Sequence, residues 1–120
     1  VKLQISTHFS KKELECPCCG YCEIDKEFIG KLEIVRLQFG YSMPVTSGCR
    51  CEKYNAEVSS NSQGDHTRGL AVDVSLKDRY KRAKLLRLAL NIGYFNDIAI
   101  GKDFIHLGRG KERQGLGVYG

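Results

Sequence analysis

The chain lacks any apolar run approaching the ~20 residues that a membrane-spanning helix needs. No signal-peptide pattern opens it at Val1. It shows no internal repeat and no linker, so its 120 residues are expected to form a single domain over 1–120. A domain of that size buries roughly two-thirds of the surface that its unfolded chain exposes. Blocks of like charge are missing too. The formal net charge is +5, with the basic residues spread along the chain. The densest stretch, Lys77 to Arg87, reads as the solvated face of a helix. Such a charge favours an anionic partner, a cell-wall polymer or a nucleic acid. Histidine is scarce, at three residues, and the His-Glu-x-x-His helix motif of many zinc peptidases is absent. A histidine-based zinc site must therefore draw its ligands from separate segments.

What is present is the stretch Gly64-Asp-His-Thr-Arg-Gly-Leu-Ala-Val-Asp73. It sets His66 and Asp73 seven residues apart, with Gly69 and Ala71 between them. His106 lies far downstream inside the apolar run Phe104-Ile-His-Leu107. Two histidines and a carboxylate, with coordination positions left open, describe a catalytic zinc site better than a structural one. Each residue also has an ordinary reading. His66 sits in a polar loop where a solvent-facing residue is the default, His106 reads by itself as a core histidine, and Asp73 as a strand-end carboxylate bonded to a loop. Asp73 weighs most against those readings, because a carboxylate in an apolar strand is costly to bury without a cation or hydrogen bonds. His8 has no such context and is read as structural or surface. With both motif-bearing histidines assigned to metal, no Ser/His/Asp or Cys/His nucleophilic set remains.

The pattern His-x-x-Gly-x-Ala-x-Asp, formed by His66, Gly69, Ala71 and Asp73, resembles the signature of the zinc D-Ala-D-Ala carboxypeptidases and L-Ala-D-Glu endopeptidases. These enzymes share a fold with the amino-terminal signalling domain of hedgehog proteins. Thr46-Ser-Gly-Cys-Arg50 is similar to the family's Ser-Gly-x-Arg, and Asp103-Phe-Ile-His106 to its acid-x-x-His. The three motifs stand in the family's order, and the likeness runs from about Phe9 to His106. Gly64 and Gly108 depart from it, standing where a serine and an acidic residue are usual, but neither change removes a ligand. The resemblance implies that His66, Asp73 and His106 bind Zn²⁺, that Asp103 handles the proton of the attacking water, and that Arg50 anchors substrate oxygen. Ser47, Ser62 and Gln63 are candidate substrate contacts. Asp103 falls on the opposite face of a regular strand from His106, so it reaches the metal's water only if that strand begins at or after Phe104 or twists there.

Along the chain, Ser10-Lys-Lys-Glu13 is a capping box that starts a short helix ending before Pro17. Asp25 caps a helix to about Phe39, with Phe28, Leu32, Val35 and Phe39 at helical spacing and Gly40 as its stop. Pro44 to Ser47 reads as a strand, 52–58 as one or two helical turns, and 59–65 as a polar loop. Leu70 to Val74 is the central strand. Asp78 begins a second long helix with Tyr80, Ala83, Leu86 and Leu90 on one side, closed by Gly93. Asp97 to Ile100 and Phe104 to Leu107 form a hairpin about Gly101-Lys102. The tail from Gly108 to Gly120 is either flexible or an edge strand. This order predicts an α+β fold, a small antiparallel sheet packed with helices, as in the hedgehog and D-Ala-D-Ala peptidase fold.

Six cysteines fall in two groups: Cys16, Cys18, Cys19 and Cys22 in an amino-terminal loop over 16–22, then Cys49 and Cys51. Cys-Pro-x-Cys-Gly, from Cys16 to Gly20, has the ligand spacing of zinc sites. If 48–51 is extended, Cys49 and Cys51 share a face and Arg50 takes the other. A second, structural zinc at Cys16, Cys19, Cys22 and Cys51 is expected, with disulfides or buried thiols as the alternative.

The function expected from the resemblance is zinc-dependent hydrolysis of peptidoglycan stem peptides by a monomer acting on the cell wall, with no nucleic-acid partner. A phage product or a secreted bacterial enzyme fits that role. The rival is a non-catalytic zinc-binding domain of the same fold.

Overall fold

The computed structural model describes residues 4–59 and 63–110, and the backbone of 115–118. Its helices begin and end on local chemistry. Ser10 opens α1 (Lys11–Leu14) with the expected reciprocal capping box to Glu13. The Asp25 carboxylate accepts from Phe28 N at 2.9 Å to start α2 (Lys26–Phe39), which Gly40 ends in the left-handed region. β1 (Val45–Ser47) and α3 (Glu52–Ser59) follow. A 3₁₀ turn (Asp65–Arg68) then leads into β2 (Ala71–Ser75). Asp78 caps α4 (Arg79–Ile92), closed by Gly93, and β3 (Asp97–Ile100) and β4 (Phe104–Gly108) form the hairpin. The tail supplies β5 (Gly115–Val118).

The sheet order is β1-β2-β4-β3-β5. Its first four strands are antiparallel, as expected, and β5 adds a parallel edge to β3. That direction has a simple cause. A strand returning shortly after β4 runs opposite to β4, and β3 already does so.

Alternation along the strands gives the sheet two unlike faces. Val45 pairs with Val74, Val74 with Ile105 and Ile105 with Ile100, so branched side chains line up across one face. Against this face pack Phe28, Leu32, Val35 and Phe39 of α2 and Leu85 and Ala89 of α4, all buried. Each fully buried Leu, Val or Phe contributes about 1.5–3 kcal/mol. The opposite face carries the row Ser47, Asp73, His106 and Ala99, joined by the same register.

Two details of α4 differ from expectation. Tyr80 and Leu90 are 79% and 53% exposed, and Ala83 is exposed as well. The buried stripe is instead Leu85 and Ala89, with the expected Leu86 partly buried against the core together with Leu88 and Ile92. Leucines at 85, 86, 88 and 90 give this helix two apolar stripes about 100° apart, and only contact with α2 and the sheet selects one. Arg82, expected on a solvated face, turns inward. Its guanidinium donates to Leu76 O at 2.7 Å and to Gly101 O at 2.6 Å, tying α4 to the β3–β4 turn. Lys81 and Lys84 do lie outside, over the Tyr41 ring at 4.4 and 5.2 Å from its centroid.

Gly69 joins the 3₁₀ turn to β2 with φ 70°, and a Cβ there would run into the carbonyl oxygen of Glu23. Gly69→Ala is therefore expected to destabilise the protein by about 2–4 kcal/mol, combining left-handed strain with overpacking. Denaturant unfolding of the two proteins measures this, and a loss below 0.5 kcal/mol, the range of neutral surface changes, would show that the junction relaxes freely.

Candidate metal centre

His66 is presented by the 3₁₀ turn, which is fastened on both sides. Leu70 N donates to Asp65 O at 2.9 Å, and Arg50 N to His66 O at 3.1 Å. The Thr67 hydroxyl donates to Gly64 O at 2.7 Å. Asp73 and His106 come from the two central strands and stand directly opposite each other in the ladder. Both histidines are buried, and their rings meet edge to face at 5.2 Å.

One nitrogen of each imidazole is held from outside and the other is aimed at Asp73. His66 Nδ1 lies 2.7 Å from Gly48 O, an acceptor, so that nitrogen carries the proton and leaves the Nε2 lone pair free. His66 Nε2 is 3.7 Å from Asp73 Oδ1. His106 Nδ1 is 2.8 Å from the same oxygen, and its Nε2 lies 3.7 Å from Asp97 Oδ2. One ligand atom from each of His66, Asp73 and His106 lies within 4.8 Å of the other two. Imidazole, imidazole and carboxylate, with the outer nitrogen of His66 bonded to Gly48 and Asp97 near that of His106, form a donor set suited to a divalent zinc-like ion.

The local field favours that use. Burial pushes the His66 pKa down to about 4 against the attraction of Asp73, and Arg50 pushes the same way as burial. His66 is therefore neutral, the form that ligates metal. Arg50 closes the other side of Asp73, with its Nη2 3.6 Å from Asp73 Oδ2. It is steered there by Ser47 Oγ, which accepts from Nε at 3.1 Å, and by Asn55 Oδ1, which accepts from Nη1 at 3.2 Å. A cleft of about 670 Å³ opens over these groups, lined also by Gln63, Asp65, Asp97 and Phe104.

The other expected residues divide. Ser47 reaches the site as a support for Arg50, and Gln63 lines the cleft while donating to Glu52 at 3.3 Å. Ser62 lies outside the described residues. β4 does begin at Phe104, but Asp103 is exposed on the turn before it. Its carbonyl accepts from Leu76 N at 2.9 Å, and its side chain is not among those lining the cleft. Among the cysteines, Cys16, Cys19 and Cys51 converge. Cys22 instead faces Cys49, whose thiol is pushed up to about 12 by burial and by Cys22.

Asp97 and Asn55 were not singled out from the sequence. Asp97 had a usable signal. In a hairpin that pairs Ile100 with Ile105, Ala99 faces His106, and Asp97 lies two residues away on that same side. Asn55 had none, since a buried asparagine on a short polar helix looks like any other surface residue.

Two buried histidines and a carboxylate on an antiparallel sheet backed by helices make a candidate metal centre in an α+β fold. The Peptidase M15 family model matches residues 7–108, most of the chain, and the protein belongs to that family. It is thus a peptidase by family, of a metal-dependent kind. No curated protein is similar enough to the chain to extend that statement.

The His66 shift sets a pH dependence for the metal-free protein. In the unfolded chain the imidazole takes up its proton near 6.5, whereas the folded protein resists it until about 4. Stability from this group is complete above about 6.5 and is lost as pH falls toward 4. Thermal melts in chelator should show this fall, and His66→Asn should flatten it in the same window. Identical slopes for the two proteins would assign the acid sensitivity elsewhere.

Proposed function

We propose that the protein is a zinc-dependent peptidase hydrolysing the stem peptides of peptidoglycan, as a D-Ala-D-Ala carboxypeptidase or an L-Ala-D-Glu endopeptidase. The observation that carries this reading is the convergence of His66, Asp73 and His106 under an open cleft, with Arg50 beside them. His66 through Nε2, Asp73 and His106 through Nδ1 would hold the ion. Bound there, zinc supplies a water of lowered pKa and a Lewis acid for the scissile carbonyl.

The chain's own groups do the rest. Arg50, fixed by Ser47 and Asn55, presents its guanidinium to a substrate carboxylate or to the charge developing on the carbonyl oxygen. Asp97 faces the outer nitrogen of His106, where a carboxylate fixes the tautomer and strengthens the ligand. Asp103 takes the proton from the attacking water and delivers it to the leaving amine. Its exposed position at the start of β4 requires its side chain to swing toward the cleft when substrate binds. The substrate is a peptide of the wall, and the protein acts as a monomer there.

Two variants separate the two carboxylates. Asp103→Asn should retain zinc and lose ~10²–10⁴-fold in the rate of cleaving purified stem peptides. Asp97→Asn should weaken zinc binding by ~10–100-fold, with a smaller rate loss once zinc is saturating. Single-turnover cleavage with metal analysis of the same samples reads both. If Asp103→Asn keeps the wild-type rate and Asp97→Asn loses it at full zinc occupancy, the proton is carried by Asp97. Zinc-loaded wild type that cleaves neither D-Ala-D-Ala nor L-Ala-D-Glu bonds would leave a binding domain of the same fold.

A further inference from the structure

A second group of potential ligands lies on the far side of Arg50 from the cleft. The sulfurs of Cys16, Cys19 and Cys51 are within 4.8 Å of one another, and those of Cys16 and Cys51 are 3.8 Å apart. Cys18 lies beside them on the exposed side of the same loop, near enough to Cys51 for the two thiols to influence each other's charge. All six cysteines are free thiols.

The backbone offers amide donors to the sulfurs of Cys16 and Cys51. Cys16 Sγ accepts from the amide of Cys51 at 3.4 Å, and the nearby amides of Cys18 and Cys19 help to lower the pKa of that thiol against the opposing effect of burial. The Tyr21 amide serves Cys19. Cys51 precedes α3, and its Sγ accepts from Tyr54 N at 3.4 Å, the third residue of that helix. A sulfur in that capping position feels the positive end of the helix, which favours its charged form. The loop is bent to allow this, with Gly20 N bonded to Cys16 O at 2.8 Å and Gly20 at φ 78°. Neutral thiols accept hydrogen bonds weakly and do not call for such a set of donors. Several thiolates this close repel one another unless a cation lies among them.

Cys22 and Cys49 are a separate pair. Cys49 is fully buried with its sulfur against Cys22, so it packs as a small apolar group.

We propose that Cys16, Cys18, Cys19 and Cys51 form a closed, structural zinc site that ties the amino-terminal loop to the segment bearing Arg50 and so fixes that arginine at the cleft. Four sulfur ligands with no open position suit zinc in a structural role. Each thiol that ligates releases its proton to solvent. The link to Arg50 is short. Cys49 N is bonded to Leu14 O at 2.7 Å, Arg50 N to His66 O, and Cys51 N to Cys16 Sγ. Metal at the thiols would clamp the carboxyl-terminal side of that arginine and the start of α3, which carries Asn55. The site does not depend on the peptidase reading.

The test uses the full chain purified under reductant, in the His66→Ala/His106→Ala background that lacks the cleft ligands. One zinc per chain should remain. Replacing it with Co²⁺ should give strong thiolate-to-cobalt charge-transfer absorption. Adding Cys18→Ser or Cys51→Ser should lower zinc affinity by at least ~10-fold, whereas Cys22→Ser/Cys49→Ser should leave the zinc content unchanged. Hydrogen exchange should slow at the Cys51 and Tyr54 amides when zinc is added, with protection of β2 and β4 in the same samples confirming the fold. The assignment is overturned by loss of all zinc from the double histidine variant with β2 and β4 still protected. Iron in place of zinc, a Cys16–Cys51 disulfide in the untreated protein, or zinc lost through Cys22→Ser/Cys49→Ser but not Cys18→Ser would overturn it equally.

Discussion

Asp73 places a carboxylate on a central strand of the sheet, and the groups around it are arranged to offset that charge. Its side chain is 15% exposed, and its two oxygens have different neighbours. Oδ1 faces His66 Nε2 and His106 Nδ1, while Oδ2 faces the Arg50 guanidinium. Taking a carboxylate out of water costs several kcal/mol even after relaxation, and attraction repays this only when partners and hydrogen bonds are well placed. The pull of Asp73 does not protonate His66, because burial keeps that imidazole neutral. The neutral His66 ring, the His106 ring and the carboxylate bring their donor atoms together around one oxygen. Such a cluster of donors suits a divalent cation.

The same strands build the core and the centre, which couples stability to chemistry. Val72 and Val74 enter the core from β2, and Ile105 and Leu107 from β4, while Asp73 and His106 leave the opposite face. A one-residue slip of either strand would bury the carboxylate and expose the branched side chains. Register is therefore held by about the strongest constraint a small sheet has. The supports outside the sheet are short and local. Gly48 supplies a carbonyl for His66, and Asp97 approaches His106 from the neighbouring strand.

Arg50 is where several parts of the chain meet. Its backbone is bonded to the 3₁₀ turn that carries His66, its guanidinium to Ser47 of β1 and Asn55 of α3, and the residues on either side of it to the amino-terminal loop. An arginine with its donors assigned in this way arrives at the substrate already oriented, and less entropy is lost on binding. The cysteine-rich loop can thus affect the cleft through the backbone beside Arg50 and through the Tyr21 hydroxyl, which donates to Thr67 O at 2.9 Å.

Much of this protein was legible in its sequence because it rests on short-range rules. Ser10, Asp25 and Asp78 start helices, and Gly40 and Gly93 end them, by hydrogen bonds that span a few residues. The two central strands announced themselves by alternation. The spacing of His66, Gly69 and Asp73 marked a turn feeding a strand. Other features needed the tertiary fold, because they depend on which surfaces meet. Periodicity picked Tyr80, Ala83, Leu86 and Leu90 on α4, whereas packing buries Leu85 and Ala89, keeps Leu86 partly buried and leaves Tyr80 and Leu90 exposed. Arg82 looked like one more surface cation until the carbonyls of Leu76 and of the β3–β4 turn came within its reach. The partition of six similar cysteines into a converging group and a Cys22–Cys49 pair follows from how the loop folds over 48–51, which spacing does not encode. Asp97 and Asn55 became neighbours of the centre through strand register and helix docking. Local sequence fixes where elements start, stop and turn, since those costs are settled within a few residues. Long-range contacts decide which side chains share a site, because that choice is made only when the apolar faces close on one another.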